Sequence, residues 1–398
     1  DFGSGLRLKL LVWALGSGSA RCVDSRFRMT WFADLFGFEE GSFAQTRRGF
    51  TQEDAGTDDA VLKSRANGAR FEVGSFESPT LEELQNRLAA SGPGDGDEGL
   101  TFANMVGDVR ELHQDCQNAG AVFQVASQFN CLEMMGPEVR PENGVTIYEK
   151  DRTQGPACAL SCPAATVFRN YFVNGKGQAG RNQLNMLSDV ALALGNRKQK
   201  YWEMTNGYCL PMTTWGMAEL GKRLTGDPAL TSNVKRSLRV GIHWSTQVKG
   251  CQHRVCQIFC SALPLAYVKS VPSADWAPFA CAVLDAAYEA TLAAAAALAR
   301  ARRARVTVYL TALGGGCFGN DEQWIADALE KALESHAAEA LDVKLVHFRA
   351  IPAGPWLGLG SAVSARLRKR PSASSGSGGS RVGEERRVRR RLTTKTTV

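Results

Sequence analysis

The stretch from Val306 to Leu333 constrains the chain more than any other, because strand, glycine loop and helix follow one another without a break. Val306, Val308, Leu310 and Ala312 alternate with Thr307, Tyr309 and Thr311, the period of a half-buried strand. Gly314-Gly315-Gly316-Cys317-Phe318-Gly319 comes next. Asn320 is placed to cap a helix, with Gln323 reaching back to it, and Trp324, Ile325, Ala328, Leu329 and Leu333 repeat at helical spacing. Residues without a Cβ, delivered to a helix N-terminus, leave backbone N–H groups aimed at one spot near the positive end of the helix dipole. Such a spot favours phosphate. The expectation is that Gly314, Gly315, Gly316, Cys317, Phe318, Gly319 and Asn320 seat the diphosphate of a nucleotide-type ligand.

Two other readings of the same loop stay open. One is a plain glycine turn between strand and helix. The other is the dinucleotide fingerprint G-x-G-x-x-G, which Gly314, Gly316 and Gly319 satisfy. In that fingerprint the third glycine lies inside the helix, whereas here the cap signal follows Gly319. The next strand, Val343 to Arg349, also ends without the acidic residue that would hold a ribose. Asp321 and Glu322 sit in the first helical turn, where they compete with a bound anion unless they point away.

A length of 398 residues accommodates two or three structural units, and 44% hydrophobic with 22% charged residues is ordinary for a globular chain. The net charge of +7 is concentrated at one end. From Arg366 onward eleven Lys/Arg face two Asp/Glu, a balance of +9 that leaves the preceding residues near −2. A nucleic-acid groove across the body is therefore not indicated. The eleven cysteines are scattered without a C-x-x-C and lie mostly in apolar runs, which suggests reduced structural thiols and a cytoplasmic or nuclear setting rather than a zinc site. The alanine-rich run after Tyr288 is interrupted at Arg300, Arg302 and Arg303 and reads as too short to span a membrane. Leu6 to Leu15 weakly resembles a signal peptide, in a chain that starts at Asp1.

Along the chain, residues 1–28 are unassigned, 29–100 form an extension packed on the core, 101–352 form an α/β domain, and 353–398 form a disordered basic tail. The extension contains a short aromatic helix around Trp31 to Phe38, a polar, turn-rich stretch over 41–70, a strand from Phe71 to Phe76 and a helix capped by Ser78 or Thr80. Ser91 to Gly99 reads as a linker. The pattern then predicts strands at Phe102–Val109, Ala121–Phe129, Ala164–Val173, Val240–Val248, Val255–Tyr267 and Val343–Phe348. Helices fall over Leu184–Leu194, Met217–Leu224 and a long stretch from Phe279, while Tyr201–Leu210 is short and mixed. This alternation argues for a three-layer α/β/α sandwich with a mixed sheet, in which ligands bind beyond the strand C-termini.

With these elements placed, residues 101–350 resemble the macrodomain superfamily, which binds ADP-ribose and includes the poly(ADP-ribose) glycohydrolases. Gly107-Asp108-Val109 is similar to that family's Gly-Asp-[Ile/Val] motif, which implies an adenine contact for Asp108 beside Val109. Phe123 to Asn130 follows in outline the strand that carries an asparagine to the distal ribose, the place of Asn130 here. Where the family has a glycine-rich first loop, this chain has a longer segment ending in Thr153-Gln154-Gly155-Pro156-Ala157. Leu313 to Asn320 resembles the second phosphate loop, with the glycine–x–Phe–Gly pattern of the glycohydrolase branch, and the paired glutamates of that branch are absent. The resemblance implies ADP-ribose or an ADP-ribosylated protein as partner, no cofactor and no metal.

Hydrolysis at the distal ribose needs a carboxyl group across the cleft from the loop. Glu133, three residues after Asn130, is the first candidate, and Asp151, just ahead of Gln154 and Gly155, is the second. Each has a plainer reading as a solvated surface carboxylate, and Gln154 reads either as a ligand hydrogen-bonder or as a cap of the next helix. Arg366 to Arg370 and Arg386 to Arg391 resemble a two-part nuclear import signal and also suit loose nucleic-acid contact. The functions left in view are hydrolysis of an ADP-ribosyl linkage, a non-catalytic ADP-ribose reader, an NAD(P)-binding oxidoreductase and a non-binding structural protein.

Overall fold

The computed structural model describes residues 29–92 and 99–360. The signal-like segment, most of the Ser91–Gly99 linker and the basic clusters after Arg366 lie outside the described residues.

The described chain begins with α1 (Trp31–Phe36), whose N-cap Thr30 accepts from Ala33 N, and α2 (Phe43–Arg48). A small antiparallel sheet follows, made of β1 (Phe50–Glu53), β2 (Val61–Ser64) and β3 (Arg70–Glu72). Sequence alone reads residues 41–70 as polar turns, because strands of three or four residues are too short for alternation to stand out. Phe32, Phe36, Phe50 and Leu62 are buried with Tyr148 and Tyr171 in a core separate from the main one. The expected single strand from Phe71 to Phe76 is broken at Gly74 (φ +74°), and β4 (Ser75–Glu77) joins the main sheet. A Cβ at position 74 would overlap the carbonyl oxygen of Trp244, so only glycine fits. α3 (Leu81–Ala90) starts at Thr80, which forms a reciprocal capping box with Glu83.

The elements after it are β5 (Thr101–Val106), α4 (Val109–Gln114), β6 (Val122–Ala126), α5 (Gln154–Ser161), α6 (Pro163–Tyr171) and α7 (Ser188–Leu194). A hairpin of β7 (Trp202–Thr205) and β8 (Tyr208–Pro211) precedes α8 (Thr214–Gly226) and α9 (Pro228–Ser237). The chain closes with β9 (Gly241–Gln247), β10 (Arg254–Cys260), α10 (Ser273–Arg302), β11 (Val306–Leu310), α11 (Glu322–Ser335) and β12 (Leu341–His347).

The main sheet has seven strands in the order β4-β9-β10-β6-β11-β12-β5. β4, β9 and β10 pair antiparallel, and from β10 to β5 every neighbour is parallel. Side chains alternate between its two covered faces. On β6, Phe123 stacks against His113 of α4 at 3.7 Å, whereas its neighbour Gln124 donates to Thr291 of α10 at 3.0 Å. The result is the expected α/β/α sandwich.

Several elements differ from the sequence reading. Ala164–Val173 is not a strand but most of α6, with Pro163 in its first turn, and an apolar run of this length suits a buried helix equally well. Gly107 to Val109 is not strand either: β5 stops at Val106 and Asp108 caps α4. β10 ends at Cys260 rather than Tyr267, and Pro264 precedes a short turn of 3-10 helix. The mixed segment Tyr201–Leu210 is a hairpin whose turn is Asn206-Gly207. α10 runs 30 residues, so it is long and apolar enough to cross a membrane, contrary to the sequence reading. Its most apolar window is 78% buried within the protein, which accounts for that composition.

Candidate functional site

The five parallel strands end at one edge of the sheet, and a cleft of about 470 Å³ opens there. Its lining comes from the segments that leave those strands: Gly107 to Arg110 after β5, Ala126 to Gln128 after β6, Ala262 after β10, Thr311 to Phe318 after β11 and Phe348 after β12. This is where a doubly covered sheet leaves room for a ligand.

Gly314, Gly316, Cys317 and Phe318 line the cleft, as expected; Gly315, Gly319 and Asn320 are not among its lining residues. The loop is held by three internal bonds, Gly315 N to Ala312 O, Gly319 N to Gly316 O and Asn320 N to Gly314 O. Among the described residues, the N–H groups of Gly314, Gly316, Cys317 and Phe318 have no protein acceptor. Gly314 needs φ +78°, and a Cβ there would overlap Ala262; at Gly316 an added Cβ meets nothing within 4 Å. The loop thus carries unpartnered N–H groups at the cleft, but the helix contributes less than expected. Asn320 does not cap α11: its buried side chain donates to Leu263 O at 2.8 Å. The cap is Asp321, whose carboxylate accepts from Gln323 N at 2.7 Å, so the α11 terminus already holds its own anion.

A second set of open amides belongs to cleft-lining residues at the start of α5. Thr153, its N-cap, makes no side-chain capping bond, and the N–H groups of Gln154 and Gly155 have no acceptor among the described residues. Gly155 packs so closely on β6 that a Cβ would overlap the carbonyl oxygen of Ala126. The Gln154 side chain is not available to a ligand. Its Oε1 accepts from Ala126 N at 2.9 Å and its Nε2 donates to Gln124 O at 2.8 Å, which ties α5 to the end of β6.

Glu133 lines the cleft yet is only 1% exposed, and neither carboxyl oxygen has a hydrogen-bond partner. Burial pushes its carboxyl up to about 8, against the opposing pull of the Arg169 guanidinium. The nearest Arg169 nitrogen stands 3.7 Å away, longer than a hydrogen bond. Arg169 is itself fully buried, with Nε donating to Cys131 O at 3.0 Å and its guanidinium 3.8 Å from the centre of the Phe259 ring. Asp151 shares the cleft, its carboxylate accepting from Thr153 N at 2.8 Å.

Asp108 and Val109 line the opposite end. Asp108 accepts from Arg110 N and pairs with the Arg110 guanidinium, which holds its carboxyl below the usual range. Asn130 is not in the cleft. Its side chain donates to Gln183 and accepts from the buried Leu132 N, and neither partner lines the cleft. Sequence reasoning missed Tyr208 and Tyr267, which form an aromatic trio with Phe318 at centroid distances of 5.1 to 5.7 Å. The Asn206-Gly207 turn signal places Tyr208 on a hairpin and was the available clue. Among the described residues no group of three His, Cys, Asp or Glu side chains is arranged to hold a metal ion.

No protein-family model matches this chain, and no curated protein matches it. Among solved structures it is similar to a poly(ADP-ribose) glycohydrolase from Deinococcus radiodurans in complex with ADP-ribose, at 12% identity over 73% of this chain and 95% of that one, with a TM-score of 0.40. It is also similar to a poly(ADP-ribose) glycohydrolase from Thermomonospora curvata, at 13% identity over 82% and 97% of the two chains, with a TM-score of 0.38. The same enzyme bound to the inhibitor ADP-HPD aligns at 12% identity over 81% and 97%, also with a TM-score of 0.38.

Proposed function

We propose that the cleft binds ADP-ribose or a derivative of it and hydrolyses an ADP-ribosyl linkage, with Glu133 as the acid. The observation that carries this reading is a buried carboxyl group, its pKa raised by burial, in the same cleft as two sets of open backbone N–H groups, at Gly314 and Gly316 to Phe318 and at Gln154–Gly155. Amides without partners suit the fixed, multiple oxygens of a diphosphate. The motif resemblance of Gly107 to Val109 and of Leu313 to Asn320 names the ligand class. Phe348, 60% exposed and beside the Asp108 end, offers a flat apolar face to a purine. The Tyr208, Tyr267 and Phe318 rings cover the ribose end.

With the ligand so placed, Glu133 gives its proton to the leaving oxygen as the bond from the anomeric carbon breaks. Arg169 then stands beside the carboxylate that forms. Water adds to the anomeric carbon from the open side and gives up its proton to the carboxylate of Asp151, the second carboxyl group of the cleft. The test is release of ADP-ribose from an ADP-ribosylated protein by wild type and by Glu133→Gln. The variant is expected to be slower by about a hundredfold or more, with ADP-ribose binding retained. Equal release by both proteins contradicts the assignment. The withdrawal of Asn130 from the cleft favours a second reading, binding without hydrolysis, and that reading prevails if wild type binds ADP-ribose yet releases none.

A further inference from the structure

Glu40, in the segment before the main sheet, is bonded across more than a hundred residues of chain to the segment that leads into the cleft-lining residues Asp151 to Thr153. Its carboxylate accepts from Val145 N at 2.8 Å, from Thr146 N at 2.7 Å and from the Tyr171 hydroxyl at 2.7 Å. Those two amides open the 3-10 helix Thr146–Lys150, so Glu40 caps that helix from another layer of the molecule. The approach is tight: Gly144 sits at φ +85°, and a Cβ there would overlap the Glu40 carboxylate. Trp31 adds a bond from its indole N–H to Thr146 O at 3.1 Å.

Within the capped helix, Tyr148 is fully buried and its hydroxyl oxygen accepts the Glu133 N–H at 3.0 Å. The Tyr148 carbonyl in turn accepts from Asp151 N at 3.1 Å, at the start of the Asp151–Thr153 segment of the cleft wall. A path of hydrogen bonds thus runs from Glu40 through Tyr148 to the backbone of Glu133. We propose that Glu40 and Tyr148 are positioning residues for Glu133, with the N-terminal layer holding the acid at its place in the cleft wall. The catalytic part of this inference rests on the reading of Glu133 given above; the geometric part stands apart from it.

The experiment compares wild type, Tyr148→Phe, Glu40→Gln and Glu40→Ala by two readouts. The first is hydrogen exchange at the Glu133 amide, measured by NMR without substrate. The second is the split of hydrolysis into kcat and KM. Tyr148→Phe keeps the ring and removes the acceptor, so Glu133 exchange is expected to quicken about tenfold or more. Turnover is expected to fall by about tenfold or more with KM within about twofold, as for a misplaced acid in an intact binding site. Glu40→Ala is expected to act in the same direction, with Glu40→Gln recovering part of the loss through its one acceptor oxygen. Unchanged Glu133 exchange in Tyr148→Phe overturns the proposal, whatever happens to stability. So does a fall in kcat that merely parallels loss of binding. Faster exchange in a protein whose wild type hydrolyses nothing upholds the positioning and removes the hydrolytic reading instead.

Discussion

A carboxyl group as deep as that of Glu133 is costly to ionise, because no hydrogen bond compensates the charge and Arg169 stays at 3.7 Å. Its folded value near 8 lies above the ordinary 4.5, so between those limits the folded protein binds more protons than the unfolded chain. This contribution to stability is complete below pH 4.5 and is lost as pH rises toward 8. Glu133→Gln removes the dependence at that site. Melting curves of the two proteins from pH 4.5 to 8.5 are expected to diverge, the variant gaining by up to about 1.4 kcal/mol per pH unit in the window. Parallel curves contradict an uncharged Glu133. Its candidacy was legible from its place after the Phe123–Asn130 strand, but that of Asn130 misled. Cys131 adopts φ +60°, a reversal that no residue type there announces, and it accompanies Asn130 facing into the fold. The Glu40–Tyr148 link was equally hidden, since it joins residues far apart in sequence.

Two helix starts differ in what they offer a ligand. At α11 the Asp321 carboxylate occupies the terminus, so Asp321→Ala is expected to cost about 0.5–2 kcal/mol in a melting experiment without weakening ADP-ribose binding. Weaker binding would mean that the aspartate serves the ligand rather than the helix. At α5 the terminus is uncapped and held to β6 through the Gln154 side chain. Gly155→Ala drives a Cβ into the Ala126 carbonyl oxygen and is expected to destabilise by about 1–3 kcal/mol, read by denaturant unfolding. Wild-type stability there would contradict the close packing. The strand and helix around the glycine loop were legible because alternation and helical spacing adjoin without interruption. α6 was not, because its apolar run carries both periods at once. The small sheet of β1 to β3 was not, because its strands are too short to show either.

At the scale of the whole molecule, five parallel strands deliver their following segments to one cleft, and Glu40 ties the N-terminal segment to the 3-10 helix that precedes Asp151. The sandwich was legible in the succession of strands and helices, whereas strand order and the partners across the cleft depend on contacts between distant segments. The unpartnered amides around Gly316 are the proposed seat of the diphosphate. Calorimetry of ADP-ribose with wild type and with Gly316→Glu tests that most directly, because an added Cβ at 316 meets nothing within 4 Å. A saturable heat with wild type, weakened about tenfold or more in a variant that melts at the same temperature, is the predicted result. No heat with wild type, or equal affinity in both, contradicts it.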